Sequence, residues 1–145
     1  NVEIVKLLLS CKRIDVNCLQ TIFRMPIMYN ETAMHIAVEN TEIVMLLLSC
    51  KNIDVNIYME SQSFEPSNLK EQMSALYMAV KKGNLEIANI LCSHRSTNIN
   101  LPLILSVDSG KEVVPPKRII LEKKTPLYIT KDRINQEIYR ILLKK

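Results

Sequence analysis

Histidines, cysteines and paired carboxylates are what an active site or metal centre would be built from, and this chain offers few in usable arrangements. His35 and His94 are its only histidines, and so its only side chains with an ordinary titration near neutrality. Neither has a Cys or Ser at a spacing suited to nucleophilic catalysis. The four cysteines are Cys11, Cys18, Cys50 and Cys92. Zinc knuckles need pairs two residues apart, and no pair here is closer than Cys11 and Cys18. Cys92 and His94 are near neighbours but lack further ligands at fitting positions. Cys92 falls on the apolar side of a helical pattern, where a free cysteine acts as a small hydrophobe. The cysteines therefore read as buried thiols of a reducing compartment, and the chain as intracellular. Gly83 and Gly110 are the only glycines, which argues against a glycine-rich loop cradling phosphate. No catalytic residue, metal, cofactor or small-molecule substrate is expected, and the protein reads as a non-enzyme.

The carboxylates point the same way because they recur. Glu3-Ile4-Val5-Lys6-Leu7-Leu8-Leu9-Ser10-Cys11 returns as Glu42-Ile43-Val44-Met45-Leu46-Leu47-Leu48-Ser49-Cys50, an offset of 39 residues. A third copy is Glu86-Ile87-Ala88-Asn89-Ile90-Leu91-Cys92-Ser93, and a fourth is Glu137-Ile138-Tyr139-Arg140-Ile141-Leu142-Leu143. A residue present in every unit serves the unit. These glutamates are expected to open a helix, where negative charge suits the dipole. Asp15 and Asp54, each before Val-Asn, read as turn residues. The methionines are scattered and read as core filler.

Apolar positions within each copy fall at i, i+3 and i+4, as in Ile43, Leu46 and Leu47, which is the helical period. A second short pattern precedes copies two to four: Thr32-Ala33-Met34-His35-Ile36-Ala37, Ser74-Ala75-Leu76-Tyr77-Met78-Ala79 and Thr125-Pro126-Leu127-Tyr128-Ile129-Thr130. Each opens on a hydroxyl residue able to cap a helix, and the last places Pro just inside it. Each unit is thus expected to be a short helix, a tight turn and a second helix.

The paired pattern resembles the ankyrin repeat, whose first helix opens on T-P-L-H-x-A. Thr125-Pro126-Leu127-Tyr128 is close to that motif, Thr32 and His35 keep two of its positions, and Ser74-Ala75-Leu76-Tyr77 is looser. Lys82-Gly83-Asn84-Leu85-Glu86-Ile87 is similar to the family's turn between helices. Ile-Asp-Val-Asn at 14–17 and 53–56 resembles its closing segment, with Ile where a Gly-Ala pair is usual. The resemblance implies an all-α helical solenoid within a single repeat domain. Its units are a partial repeat at 1–17, repeats at 30–56 and 73–100, and a terminal repeat at 124–145. It implies that the His35 ring bonds local backbone and fixes the turn. His94, after a helix end, is expected to be solvated. The chain opens inside a helical pattern without a Met or a signal peptide, and reads as a fragment of a longer array.

The departures lie between units. An ordinary period is about 33 residues, yet Thr32 and Ser74 are 42 apart and Ser74 and Thr125 are 51 apart. The excess falls at Cys18–Asn30, Ile57–Gln72 and Leu101–Lys124, where the resemblance implies projecting hairpins, so these are expected as extended hairpin loops between repeats. In the third, Leu103–Val107 and Val113-Val114 around Asp108-Ser109-Gly110 suggest a hairpin ended by Pro115-Pro116.

Of 145 residues 48% are hydrophobic, but with five Tyr, two Phe and no Trp the core must be aliphatic. No apolar run approaches the roughly 18 residues of a transmembrane helix. Residues 1–110 carry nine Lys and Arg against eleven Asp and Glu, whereas residues 111–145 carry ten against four. The net charge of +4 therefore belongs to the C-terminal quarter.

By resemblance, the function is protein recognition through a concave face built from the first helices and the hairpins. Its residues are those at the ends of the first helices and just before their starts. These are Asn30, Glu31, Glu39 and Asn40, then Gln72, Met73, Lys81 and Lys82, then Lys123, Lys124, Asp132 and Arg133. They run from acidic or neutral to basic, which suits an acidic protein partner. Two other readings stand beside it: an anion-binding module for nucleic acid or a membrane surface, and a regulatory segment of a larger protein. Nucleic acid ranks last, because only Tyr128 and Tyr139 are at hand to stack bases.

Overall fold

A computed structural model of the chain describes residues 1–63, 68–108, 118–132 and 136–144. Helix makes up 41% of these and strand 27%. The all-α expectation is corrected accordingly: the protein is mixed α/β, with stacked helix pairs beside one six-stranded antiparallel sheet. The elements in chain order are α1 (Val2–Leu9), β1 (Gln20–Arg24), β2 (Ile27–Glu31), α2 (Ala33–Ala37), α3 (Thr41–Leu48), β3 (Tyr58–Ser63), β4 (Leu69–Ser74), α4 (Ala75–Lys82), α5 (Leu85–Ser93), β5 (Leu103–Asp108), β6 (Arg118–Lys124), α6 (Pro126–Asp132) and α7 (Gln136–Leu143).

Each long segment between units folds as a hairpin, and the hairpins pair with one another in the order β1 to β6. Local pattern hides the pairing between hairpins, most of all in the second, whose strands are polar. Tyr58-Met59-Glu60-Ser61-Gln62 and Leu69-Lys70-Glu71-Gln72-Met73 carry little of the β-branched run that marks a strand. What holds them is cross-strand pairing, including pairs between different hairpins such as Tyr29 opposite Ser61 and Glu71 opposite Leu105. In the third hairpin the return strand is Arg118–Lys124. Asp108, the expected start of the turn, is the last residue of β5 and lies opposite Arg118; the rest of that turn, Val113-Val114 and Pro115-Pro116 lie outside the described residues.

The helices stack in two rows, α2–α4–α6 and α1–α3–α5–α7, joined within each unit. Asparagines start three of the second helices. Asn1, Asn40 and Asn84 each accept backbone N–H bonds from the first turn of the helix that follows. The recurring Glu3, Glu42 and Glu86 occupy that first turn. Gly83 ends α4 at φ 73°, a left-handed turn that lets Asn84 N–H reach the Ala79 carbonyl at 2.9 Å. The matching turn after α2, residues 38–40, has no glycine, and α2 is five residues long where α4 is eight. The main core runs through the stack: Val44, Ala79, Ile87, Ala88, Leu91 and Ile138 have no exposed surface. Cys92 is buried there as expected. Cys11 and Cys18 are exposed and Cys50 half-buried, which corrects the expectation of four buried thiols.

Candidate functional site

The sheet meets the α2–α4–α6 row at a corner. Met59, Met73, Tyr77 and Leu103 are buried there, with Tyr29, Met78, Leu105 and Ile129 packed around them. The pairing registers put Tyr29, Ser61, Glu71, Met73, Leu105 and Lys124 on the sheet face that carries this cluster. Glu71 reaches the end of α4 from that face, accepting from Lys81 Nζ at 3.0 Å. The opposite face carries a row, Thr21, Asn30, Glu60, Gln72, Ile104 and Lys123, polar except at Ile104. In that row Thr21 donates to Asn30 Oδ1 at 2.7 Å, Gln72 donates to Glu60, and Lys70 pairs with Glu60 at 2.7 Å.

This geometry separates residues that the sequence pattern grouped. Those just before each first helix lie in strands, and strands alternate. Glu31, Met73 and Lys124 face the helices, while Asn30, Gln72 and Lys123 face away. Met73 is only 5% exposed and belongs to the corner core. Asn40 is exposed but engaged in capping α3, accepting from Ile43 N–H at 3.0 Å. Glu39 and Lys82 are exposed and joined in an ion pair that crosses from one repeat to the next. Lys82 holds the Glu39 carboxyl below its usual range, through the hydrogen bond and its charge. Lys124 pairs with Glu122 at 2.7 Å and sits 5.7 Å from the centroid of the Tyr128 ring. Asp132 is the last residue of α6, and Arg133 lies outside the described residues. Lys81, Lys82 and Lys124 are thus each matched by a carboxylate.

His35 is 2% exposed. Thr32 N–H donates to its Nδ1 at 3.2 Å, and Thr32 Oγ1 lies 2.8 Å from the same atom. A ring that accepts at Nδ1 carries its proton on Nε2. Burial pushes its pKa down to about 4, partly offset by the nearby backbone of Ile57 and Met73. Through Nδ1 the neutral ring fixes the start of α2. His94 is half-buried at the end of α5, with Ser96 Oγ 3.0 Å from its Nδ1.

Pattern reading passed over an asparagine ladder. Asn17 donates to the Asn52 carbonyl at 2.7 Å and accepts from Asp54 N–H at 2.8 Å. Asn56 does the same one repeat on, to the Ser96 carbonyl and from Asn98 N–H, each at 2.7 Å. Asp15 and Asp54 accept from the backbone two residues on, as turn residues do. Asn17 and Asn56 stand at the same offset of 39 residues as the rest of the pattern, so the signal was present.

Among the described residues no group of three His, Cys, Asp or Glu side chains is placed to hold a metal ion. No described helix is long and apolar enough to cross a membrane. The stacked helix pairs and their hairpins are those of ankyrin repeats, and the family model for ankyrin repeats in three copies matches residues 1–103. The chain belongs to the ankyrin-repeat family. Neither a curated protein nor a solved structure matches it. Ankyrin repeats are generally protein–protein interaction modules, and the family is typically non-enzymatic. The α6–α7 pair, beyond the matched residues, packs on α4 and α5 as those pack on α2 and α3.

Proposed function

We propose that the chain recognises a protein partner at the corner between the α2–α4–α6 row and the helix-facing side of the sheet, and that this partner is acidic where it meets the C-terminal unit. The observation that supports this is the corner's composition. Ile36, Met78 and Ile129 occupy one position of three successive first helices, and Ile36 is 54% exposed. Charged pairs, Glu39 with Lys82 and Glu71 with Lys81, stand beside this apolar row. An apolar strip with a polar rim is the usual anatomy of a protein interface.

A photo-reactive amino acid placed at Lys82 is expected to form adducts with the partner. One placed at Met45, on the exposed side of α3, is expected to form none. Charge reversal at Lys81, Lys82 and Lys124 is expected to slow association about tenfold, as loss of steering charges does, with little change in melting temperature. Adducts from Met45 alone would place the interface on the second-helix row and end this reading. Normal binding by the charge-reversed chain, together with loss on deletion within 101–124, would move recognition to the third hairpin.

A further inference from the structure

We propose that the outer edge of β6 is a separate binding surface, taking an extended acidic segment of a partner protein as a seventh strand. Within the sheet, β2 is covered by β3 and β4 by β5, so the second strand of each earlier hairpin is paired on its outer edge by the next hairpin. β6 is the second strand of the third hairpin, and among the described residues no strand covers it. The continuity of the sheet names the kind of occupant: an extended backbone hydrogen-bonded along β6.

The side chains of β6 add to this. Ile119, Ile120 and Leu121 are 50%, 51% and 57% exposed, three aliphatic residues in succession. Ile119 lies opposite Val107 and Ile120 opposite Ser106, so they project from the two faces of the sheet. Leu121 is the extra residue of a bulge, because Leu105 pairs with Glu122 and Ser106 with Ile120. An incoming strand therefore meets aliphatic groups on both faces. The opposite edge, β1, is only five residues long, with Phe23 as its one strongly exposed hydrophobic residue.

Charge chooses among strands. β6 reads Arg-Ile-Ile-Leu-Glu-Lys-Lys, three cations to one carboxylate. Lysine on an edge strand guards against indiscriminate pairing. A second copy of β6 would bring like charges face to face, which opposes pairing. A strand bearing Glu or Asp meets Lys123, exposed beyond the aliphatic run, with opposite sign. The fitting occupant is an acidic strand of another protein and not a second copy of this chain. This surface does not depend on the corner proposed above.

The test is a fluorescence anisotropy titration of the whole chain into a labelled peptide of about ten residues, a long strand's length, alternating Glu and Val. Saturable binding is expected, with protection of the 118–124 amides from hydrogen exchange. Methylating alternate peptide nitrogens, which removes donors and leaves the side chains alone, is expected to weaken it more than about tenfold, or about 1.4 kcal/mol. A Lys-Val peptide is expected not to bind. Leu121→Glu with Lys123→Glu is expected to weaken binding similarly, and Lys81→Glu with Lys82→Glu to leave it unchanged. The proposal is overturned if the Glu-Val peptide does not bind, or if the methylated peptide binds as well as its parent. It is equally overturned if the corner variant loses binding while the β6 variant keeps it.

Discussion

His35 shows at the residue scale how a motif position acts in the folded chain. Its ring gains a pKa of about 4 on folding against 6.5 when exposed, so the unfolded chain binds the proton first as pH falls. The contribution of the neutral ring is complete above pH 6.5 and is lost as pH falls from there toward 4. Denaturation midpoints are expected to drop across that window by an amount worth at most roughly 3 kcal/mol. The drop is expected to be smaller in His35→Gln, and equal pH profiles for the two proteins would refute the assignment. Leu47, 2% exposed in the central stack, tests the packing of α3. Its replacement by Ala is expected to cost about 2–5 kcal/mol, measured by chemical denaturation. Thiol alkylation reads burial directly: Cys11 and Cys18 are expected to react at rates near those of the unfolded chain, and Cys92 far more slowly.

At the scale of elements, stability resides in contacts between units. α1 and α3 are nearly identical in sequence, yet Leu8 of α1 is 48% exposed where its counterpart Leu47 is 2% exposed. The difference is that α3 packs between α1 and α5 with α2 beside it, whereas α1 rests on α3. The asparagine ladder is a polar form of the same coupling. Asn56→Ala removes two bonds that join successive repeats, each worth about 0.5–1.5 kcal/mol. An equilibrium unfolding measurement is expected to show a loss of about 1–3 kcal/mol from that change. A loss no larger than for a solvent-exposed Asn such as Asn89 would show that the ladder adds nothing. The cross-repeat ion pair of Glu39 and Lys82 is fully exposed to salt, and pairs of this kind contribute little to stability. Their place is in setting the charge of the corner.

At the scale of the whole molecule, the far-ultraviolet circular dichroism spectrum is expected to show helix with a clear strand component, about two fifths to about one quarter, as in the described residues. A purely helical spectrum would deny the sheet. The sequence alone determined the repeat, its two helices and the family they resemble. These follow from periodicity, hydroxyl caps and a glycine turn, all signals between residues a few positions apart. It also put Leu47 on the apolar stripe of a helix and Cys92 on the buried side of another, where both are found. Only the tertiary structure decided that three separate hairpin loops join into one sheet, because the pairs that link them lie on different repeats, 30 to 38 residues apart. It alone decided that Gln72 and Met73, adjacent in sequence, part to opposite faces of that sheet. It likewise decided that the lysines of the middle repeat are matched by carboxylates from β4 and from the repeat before. Side-chain direction in a strand, and the sign of charge on a shared surface, are fixed by which neighbours the fold brings together.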